Sequence, residues 1–399
     1  MTKKRKRKKR GRIILLLVVI LLAVYAASVT GLLTGEYLTE SPARLSKIPA
    51  EELTEIGSPY KFYYRKLETV EQHVYNRILQ EVYDMPEEIR VPAIDGTQLD
   101  HVFSALLYDN PDLFFVGRKC TLISRPIGTY CAIRYIIEPS EYEAQKQALD
   151  AVKTKVINGL SAPDDPWQTE LEIHDYVVRH CSYEIEDGDL TYSSAYGALI
   201  NGVAACEGYS KAAKLLLDAA GIENGLVSGQ AKNSDDRSGA HMWNAVNVNG
   251  DFYHLDCTWD DPVGPDGKEV RIYAYFNLSD EAISGTHSEF SYDFGCTQMK
   301  ENYYVRTGTY FETYGREEEA RLAKLIAGAL TRGEDRIQLR FATAKAYQTA
   351  ARQLAQEQRI YAVLETACEQ AGESFSPKSL LYYKDDELRM LTFQLRSEE

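Results

Sequence analysis

The chain has 399 residues, of which 44% are hydrophobic and 26% charged, a globular composition with room for two or three cores. Its net charge of −14 is unevenly spread: nine of the 45 basic residues fall in the first twelve positions, no acidic residue precedes Glu36, and the remainder carries 36 basic against 59 acidic residues. So acidic a body excludes nucleic acid as a partner, and no basic patch with interleaved aromatics speaks for one.

The basic run from Lys3 to Arg12 is followed by 21 uncharged residues, Ile13 to Leu33, rich in Leu, Ile, Val and Ala. At ~1.5 Å per helical residue that stretch spans a bilayer. Residues 1–12 then read as a cytoplasmic tail and 13–33 as one transmembrane helix, with the rest of the chain on the extracytoplasmic side of the cell membrane. A cleavable signal peptide is the competing reading, with Ala26-Ala27-Ser28 as its candidate cleavage signal. Residues 34–60, with Pro42, Pro49 and Pro59 and no sustained periodicity, read as a linker.

Over 61–160 the pattern predicts a small α+β domain. Leu67, Val70, Val74, Ile78 and Val82 form one helical stripe, and Leu99, Val102, Phe103, Leu106 and Leu107 a second. Strands are expected at Leu113 to Val116, Cys120 to Ser124 and Thr129 to Glu138, and a helix from Ser140 to Asn158. Seven cysteines, an odd number thinly spread, make no disulfide framework. Cys120 and Cys131 flank a turn at Pro126 to Gly128, but the sequence does not fix the register that would pair them.

Residues 161–302 carry the chemistry. Pro163, Asp164 and Asp165 mark a boundary, and a helix from Glu170 to His180 follows, with His174 and His180 read as structural. Cys206 precedes a run in which Ala212, Ala213, Leu215, Leu216 and Ala219 recur at helical spacing, closed by Gly221. A cysteine at a helix N-terminus faces unpaired N–H groups and the positive end of the helix dipole, which favour a negatively charged sulfur. Gly202 and Gly208 beside it are expected to let the backbone approach a substrate, with the Cys206 amide as one oxyanion donor. Ser228 to Ala240 reads as a polar loop at the cleft rim. His241 to Val248 and Phe252 to Thr258 are strand-like on either side of Asn249-Gly250, a type I′ turn signal. A symmetric loop sets Val248 opposite Asp251, which places His241 and Asp256 diagonally on one sheet face, roughly 7–8 Å apart at the backbone. A three-residue loop would put them on opposite faces. Cys206, His241 and Asp256 then form nucleophile, base and orienter. No metal and no cofactor is expected, since His254 and Cys257 lack a C-x-x-C or comparable ligand pair nearby. Asp260, Asp261 and Asp266 match no calcium-loop spacing and read as solvated turn carboxylates.

The Cys206-Glu207-Gly208-Tyr209 helix start, the His241-Met242-Trp243-Asn244 strand and the segment from Asp256 to Pro262 resemble, in that order, the transglutaminase-like superfamily, the papain-related group that includes transglutaminases and peptide N-glycanases. The resemblance covers about a third of the chain, from near Pro163 to near Phe290; Met242 stands where many members carry Ala. It implies an α+β papain-like core, in which a helix bearing the cysteine packs on an antiparallel sheet bearing the histidine and aspartate, with Cys206, His241 and Asp256 as the triad. It also implies a second oxyanion donor upstream of Cys206, for which Tyr183 and Tyr196 are the candidates. Glu207, Trp243 and Trp259 are expected along the substrate cleft.

Residues 303–399 read as a small α/β accessory domain. Helices are expected at Glu317 to Leu330 and Ala342 to Ala371, and strands at Arg336 to Phe341, Leu380 to Tyr383 and Leu388 to Leu395, with no site among them. The whole describes a membrane-anchored thiol enzyme performing acyl transfer on peptide or protein amides, either hydrolase or cross-linker. Its partners by location are cell-wall or surface proteins. The alternative is a catalytically silent module that uses the same fold to bind peptide or wall material.

Overall fold

Two hydrophobic cores organise the chain in the computed structural model, which describes residues 57–126, 128–186, 188–232, 238–262, 271–373 and 380–395. The expected basic tail, transmembrane helix and most of the linker lie outside the described residues. Among the described residues no helix is long and apolar enough to cross a membrane.

The larger core runs from Val74 to Tyr304 and takes in Met390, so the first α+β region and the region bearing Cys206 share one continuous interior. Helices α1 (Thr69–Glu81) and α2 (Gly96–Asp109) follow the two apolar stripes, and each starts with a capping box, Glu68 with Glu71 and Asp95 with Gln98. A three-stranded antiparallel sheet packs beside them, with β1 (Ile89–Val91) against β3 (Gly128–Tyr135), and β3 against β2 (Val116–Arg125). Leu113 to Phe115, expected as strand, instead form turns closed by Leu113 N–H to Asn110 O and Val116 N–H to Leu113 O. The run is continuously apolar because Phe114 and Phe115 are both buried, against Tyr196 and Tyr142 respectively, without strand pairing. Helix α3 (Pro139–Asn158) leads into α4 (Pro166–His180), where the Asp165 carboxylate caps the Trp167 and Gln168 amides.

Chain order then gives the short parallel pair β4 (Ser182–Tyr183) and β5 (Val203–Ala204), helix α5 (Cys206–Ala219), and a five-stranded antiparallel sheet. That sheet comprises β6 (Asn224–Lys232), β7 (Ser238–Val248), β8 (Asp251–Leu255), β9 (Phe276–Leu278) and β10 (His287–Ser288), in the spatial order β10-β6-β7-β8-β9. Val248 pairs with Asp251 and Asn244 with Leu255 across a two-residue turn in which Asn249 and Gly250 both take positive φ, 55° and 93°. The loop expected over Ser228 to Ala240 is mostly strand: Ser228 to Lys232 pair with Ser238 to Met242. Ser238 to Ala240 are exposed, and Gly229 is required because a Cβ would meet Ser288 O at 2.4 Å.

The smaller core lies within Phe311 to Leu395. Strand β11 (Tyr310–Phe311) runs parallel to β12 (Arg336–Phe341), which pairs with β14 (Met390–Gln394), and β14 with β13 (Tyr382–Asp385). Helix α6 (Arg316–Thr331) packs on α8 (Ile360–Ala371). The single helix expected over 342–371 is broken: α7 (Ala344–Ala350) continues into a π-turn, Ala351–Gln356, and Gln358 has φ 57°. Gln338 fastens this region to the larger core, donating to Arg271 O at 3.1 Å and accepting from the Tyr304 hydroxyl at 3.2 Å.

The segment that enters from residue 57 is fixed to the helix that begins with Cys206. Fully buried Lys214 donates to the Ser58 hydroxyl (3.1 Å), the Asn224 carbonyl (3.2 Å) and the Asp218 carboxylate (3.2 Å). The Tyr63 hydroxyl donates to Leu226 O at 2.8 Å, and Phe62 packs edge-on to Phe252 and Phe294. Removing one member of a buried ion pair strands the other, at a cost of about 3–5 kcal/mol. Lys214→Ala is therefore expected to lower stability by about that amount in urea unfolding; a loss under about 1 kcal/mol would show that the pair is not desolvated as described.

Candidate active site

Cys206 is the first residue of α5, after Ala205 in extended conformation (φ −83°, ψ 176°). Ala205 N–H donates to Tyr192 O at 2.8 Å, which presses the helix start against the 190–194 segment. Gly208 is needed for that contact, since a Cβ would meet Tyr192 O and the Ala204 Cβ at 2.6 Å each; its role is packing against this segment, and Gly202 serves a turn at φ 74°. Two bonds lock the helix to the strand bearing His241: Ser210 Oγ donates to Met242 O at 2.9 Å, and Asn244 Nδ2 to Ser210 O at 3.0 Å. Among the described residues no hydrogen bond engages the Cys206 amide.

His241 Nε2 lies 2.7 Å from Asp256 Oδ2, the bridge that the hairpin register anticipates. The contact assigns Nε2 the hydrogen, and Cys206 lies near enough to act on the charge of the ring. Burial disfavours charge on His241, but the Asp256 charge and hydrogen bond, with a smaller contribution from Cys206, outweigh it and raise its pKa to about 10. Burial likewise opposes charge on Asp256, yet the His241 charge and two imidazole hydrogen bonds hold its carboxyl well below the usual range. Oδ1 accepts the Thr258 and Trp259 amides at 3.0 and 3.2 Å.

The second imidazole is His287, a residue the sequence reading passed over. From β10 its Nε2 reaches Asp256 Oδ2 at 3.1 Å, and its Nδ1 lies 2.9 Å from Thr286 Oγ1. Burial pushes its pKa down more than Asp256 pulls it up. Nothing local marks it, because β10 reaches the site by pairing with β6, which brings His287 opposite Ala231.

The remaining candidates separate. Trp243 cannot line a cleft: it is fully buried, stacked 6.0 Å from His241, with its indole N–H donated to His254 Nδ1 at 2.9 Å. It is the floor beneath His241, closed over by Phe290. Trp259 is half-buried, 5.6 Å from the His241 ring and 4.7 Å from His287. Glu207 is held between Arg118 (2.6 Å) and Lys211 (2.8 Å), so the first α+β region contributes a cation beside the cysteine. Tyr183 pairs with Ala204, two residues before Cys206, and is half exposed. Partial burial, then the charges of Cys206 and Asp256, push its phenol pKa up, which places it within reach of their field. Tyr196 is stacked on Phe114 at 5.4 Å. His174 and His180 are structural as expected, bonded to Asp260 and to Tyr176 O. Asp260 and Asp261 are not solvated turn residues: both are buried, Asp260 on His174 and the Tyr275 amide, Asp261 on the Tyr209 hydroxyl.

Two groups of metal-ligating side chains occur among the described residues: His241, Asp256 and His287, and His254, Asp280 and Cys296. The second is spoken for. An indole only donates, so His254 Nδ1 must accept from Trp243, and Nε2 carries the hydrogen it gives to Asp280 at 2.8 Å. No lone pair is left on that ring for a metal.

A helix that opens with cysteine, packed on an antiparallel sheet that presents histidine and aspartate, defines a mixed helix-and-strand core. Residues 151–257 match the family model described as the transglutaminase-like superfamily, and the chain carries a transglutaminase-like domain. No curated protein matches the chain in sequence. Similar solved structures include a transglutaminase (18% identity, TM-score 0.24, 41% of this chain and 48% of that one) and a proposed cysteine protease from Cytophaga hutchinsonii (12%, 0.23, 39% and 65%). A third, a proposed protease from Parabacteroides distasonis, is 11% identical with TM-score 0.18, over 39% of this chain and 35% of that one. The match thus spans less than two thirds of each of these chains.

The His241 charge makes a signed prediction for stability. Its pKa is raised on folding, so its contribution is fully present below ~6.5, the ordinary histidine value, and is lost as pH rises through about 10. In denaturant titrations the stability advantage of the parent over His241→Gln is expected to shrink across that window; an advantage independent of pH would contradict the charged pair.

Proposed function

We propose that the chain is a membrane-anchored thiol enzyme that performs acyl transfer on peptide or protein amides through a Cys206 thioester. The observation that carries this reading is the 2.7 Å His241–Asp256 contact, on a ring whose charge Cys206, at the start of a helix, also favours. In the proposed reaction the thiol proton resides on His241 as an imidazolium that Asp256 stabilises, and the sulfur attacks the amide carbon. The oxyanion is stabilised by the Cys206 amide and the Tyr183 hydroxyl. His241 then protonates the leaving amine, while Asp256 holds the ring with its Nε2–H inward throughout. Water or a second amine resolves the thioester, giving hydrolysis or cross-linking; hydrolysis is the outcome we favour for an exported protein. Support for the anchor is the uncharged run at 13–33 behind nine basic residues, which orients the body extracytoplasmically. Cell-wall and surface proteins are the substrates within reach of such a body.

The test is incubation with a mixed peptide library and a fluorescent primary amine, scoring both cleavage and amine incorporation. Cys206→Ala and His241→Ala are each expected to abolish turnover by about a thousandfold or more, and the double variant to be no worse than either, since members of one catalytic unit are not additive. Tyr183→Phe is expected to lower kcat by about 10²–10³ with KM little changed, and Tyr196→Phe to leave both near parent values. Turnover that survives in Cys206→Ala would overturn the thioester, and a parent protein that neither cleaves nor incorporates amine would leave the fold as a binding module.

A further inference from the structure

Asp256 Oδ2 is approached by His241 Nε2 at 2.7 Å and His287 Nε2 at 3.1 Å, and the three atoms lie within 4.8 Å of one another. Two imidazole nitrogens and one carboxylate oxygen form a donor set suited to Zn²⁺, with bonds of roughly 2.0–2.2 Å and a fourth position for water. We propose that His241, Asp256 and His287 form a binding site for a divalent transition metal, Zn²⁺ foremost, and that the metal-bound form is a silenced state of the enzyme. The silencing rests on the proposed acyl-transfer reaction; the binding does not.

What distinguishes this group from the His254 cluster is the partner on the far side of His287. His287 Nδ1 faces Thr286 Oγ1, whose own hydroxyl donates to Ile283 O at 3.2 Å and so keeps lone pairs free for an Nδ1 hydrogen. Without metal, His287 Nε2–H donates to Asp256 Oδ2; metal binding takes the other tautomer, with the hydrogen on Nδ1 accepted by Thr286 Oγ1 and the Nε2 lone pair turned to the cation. His241 already holds its Nε2 on Asp256 Oδ2 at 2.7 Å. The Thr258 and Trp259 amides hold Oδ1 and so aim Oδ2 at both rings. His287 and Asp256 are therefore each oriented by their other polar atom, the arrangement that supports metal-bound histidine and carboxylate. Aromatic rings of Trp259 and Tyr275 lie 4.7 and 5.5 Å from His287 and limit water around the cluster.

Coordination accounts for the silencing. A metal on Nε2 of His241 displaces the hydrogen shared with Asp256, which moves to Nδ1 or leaves to solvent. With the hydrogen on Nδ1, the ring no longer offers Cys206 a base. Zinc on a thiol–imidazole pair would silence the enzyme too, but through Cys206 rather than His287.

The discriminating experiment titrates the full-length Cys206→Ala variant with Zn²⁺ by calorimetry and with Co²⁺ by visible absorption, neither of which needs turnover. Expected is one equivalent of either metal, with a four-coordinate Co²⁺ spectrum. His287→Ala and His287→Gln in the same background should weaken binding by at least about 10-fold, and Thr286→Val, which removes only the outer acceptor, by about 10-fold. Metal-free thermal melts identify any variant that fails to fold, and Thr286→Val keeps the comparison decisive if both His287 variants do. The proposal is overturned by no binding to Cys206→Ala, or by affinity indifferent to both His287 and Thr286. If Zn²⁺ binds as expected but Cys206 proves unreactive, the site stands and the silencing alone fails.

Discussion

Asp256 is the constraint on which the rest of the site depends. Its side chain is fully buried, and a buried carboxylate is tolerated only when its lone pairs are engaged. Here two backbone amides take Oδ1 and two imidazoles take Oδ2. Those four bonds draw in the turn after β8, the central strand β7 and the edge strand β10. The orientation of His241, and with it the face shown to Cys206, follows from satisfying one anion.

Helix α5 supplies the other half, and it is positioned independently. Ser210 and Asn244 fix its register against β7, Tyr192 O anchors its first turn, and buried Lys214 ties its middle to the segment entering at residue 57. The shared core means that the first α+β region is part of this support rather than a detached neighbour. Arg118 carries that support to the rim by pairing with Glu207, the residue after the cysteine.

Much of this was legible in the sequence wherever the signal is local. Asn249-Gly250 fixes a two-residue turn, the turn fixes the register, and the register puts His241 within reach of Asp256. Helical spacing places Cys206 at a helix start. What escaped is what arrives from a distance. His287 joins Asp256 from 31 positions away through an edge strand of two residues. Trp243 shares a sheet face with His241, as parity requires, yet is sealed off by Phe290 and becomes floor rather than cleft wall. Asp260 and Asp261 look like turn residues because their partners, His174 and Tyr209, lie on helices far upstream. The break near Gln358 depends on a positive φ at a residue type that gives no warning of it.

The central claim is that Asp256 and His241 serve to activate Cys206. The most direct measurement is the rate of iodoacetamide alkylation at each of the seven thiols at neutral pH, read by peptide mass spectrometry on the parent and on His241→Ala. Cys206 labelling well ahead of the half-exposed Cys120, and slowing markedly in His241→Ala, is the expected result. Labelling of Cys206 no faster than Cys120, and indifferent to His241, would contradict it.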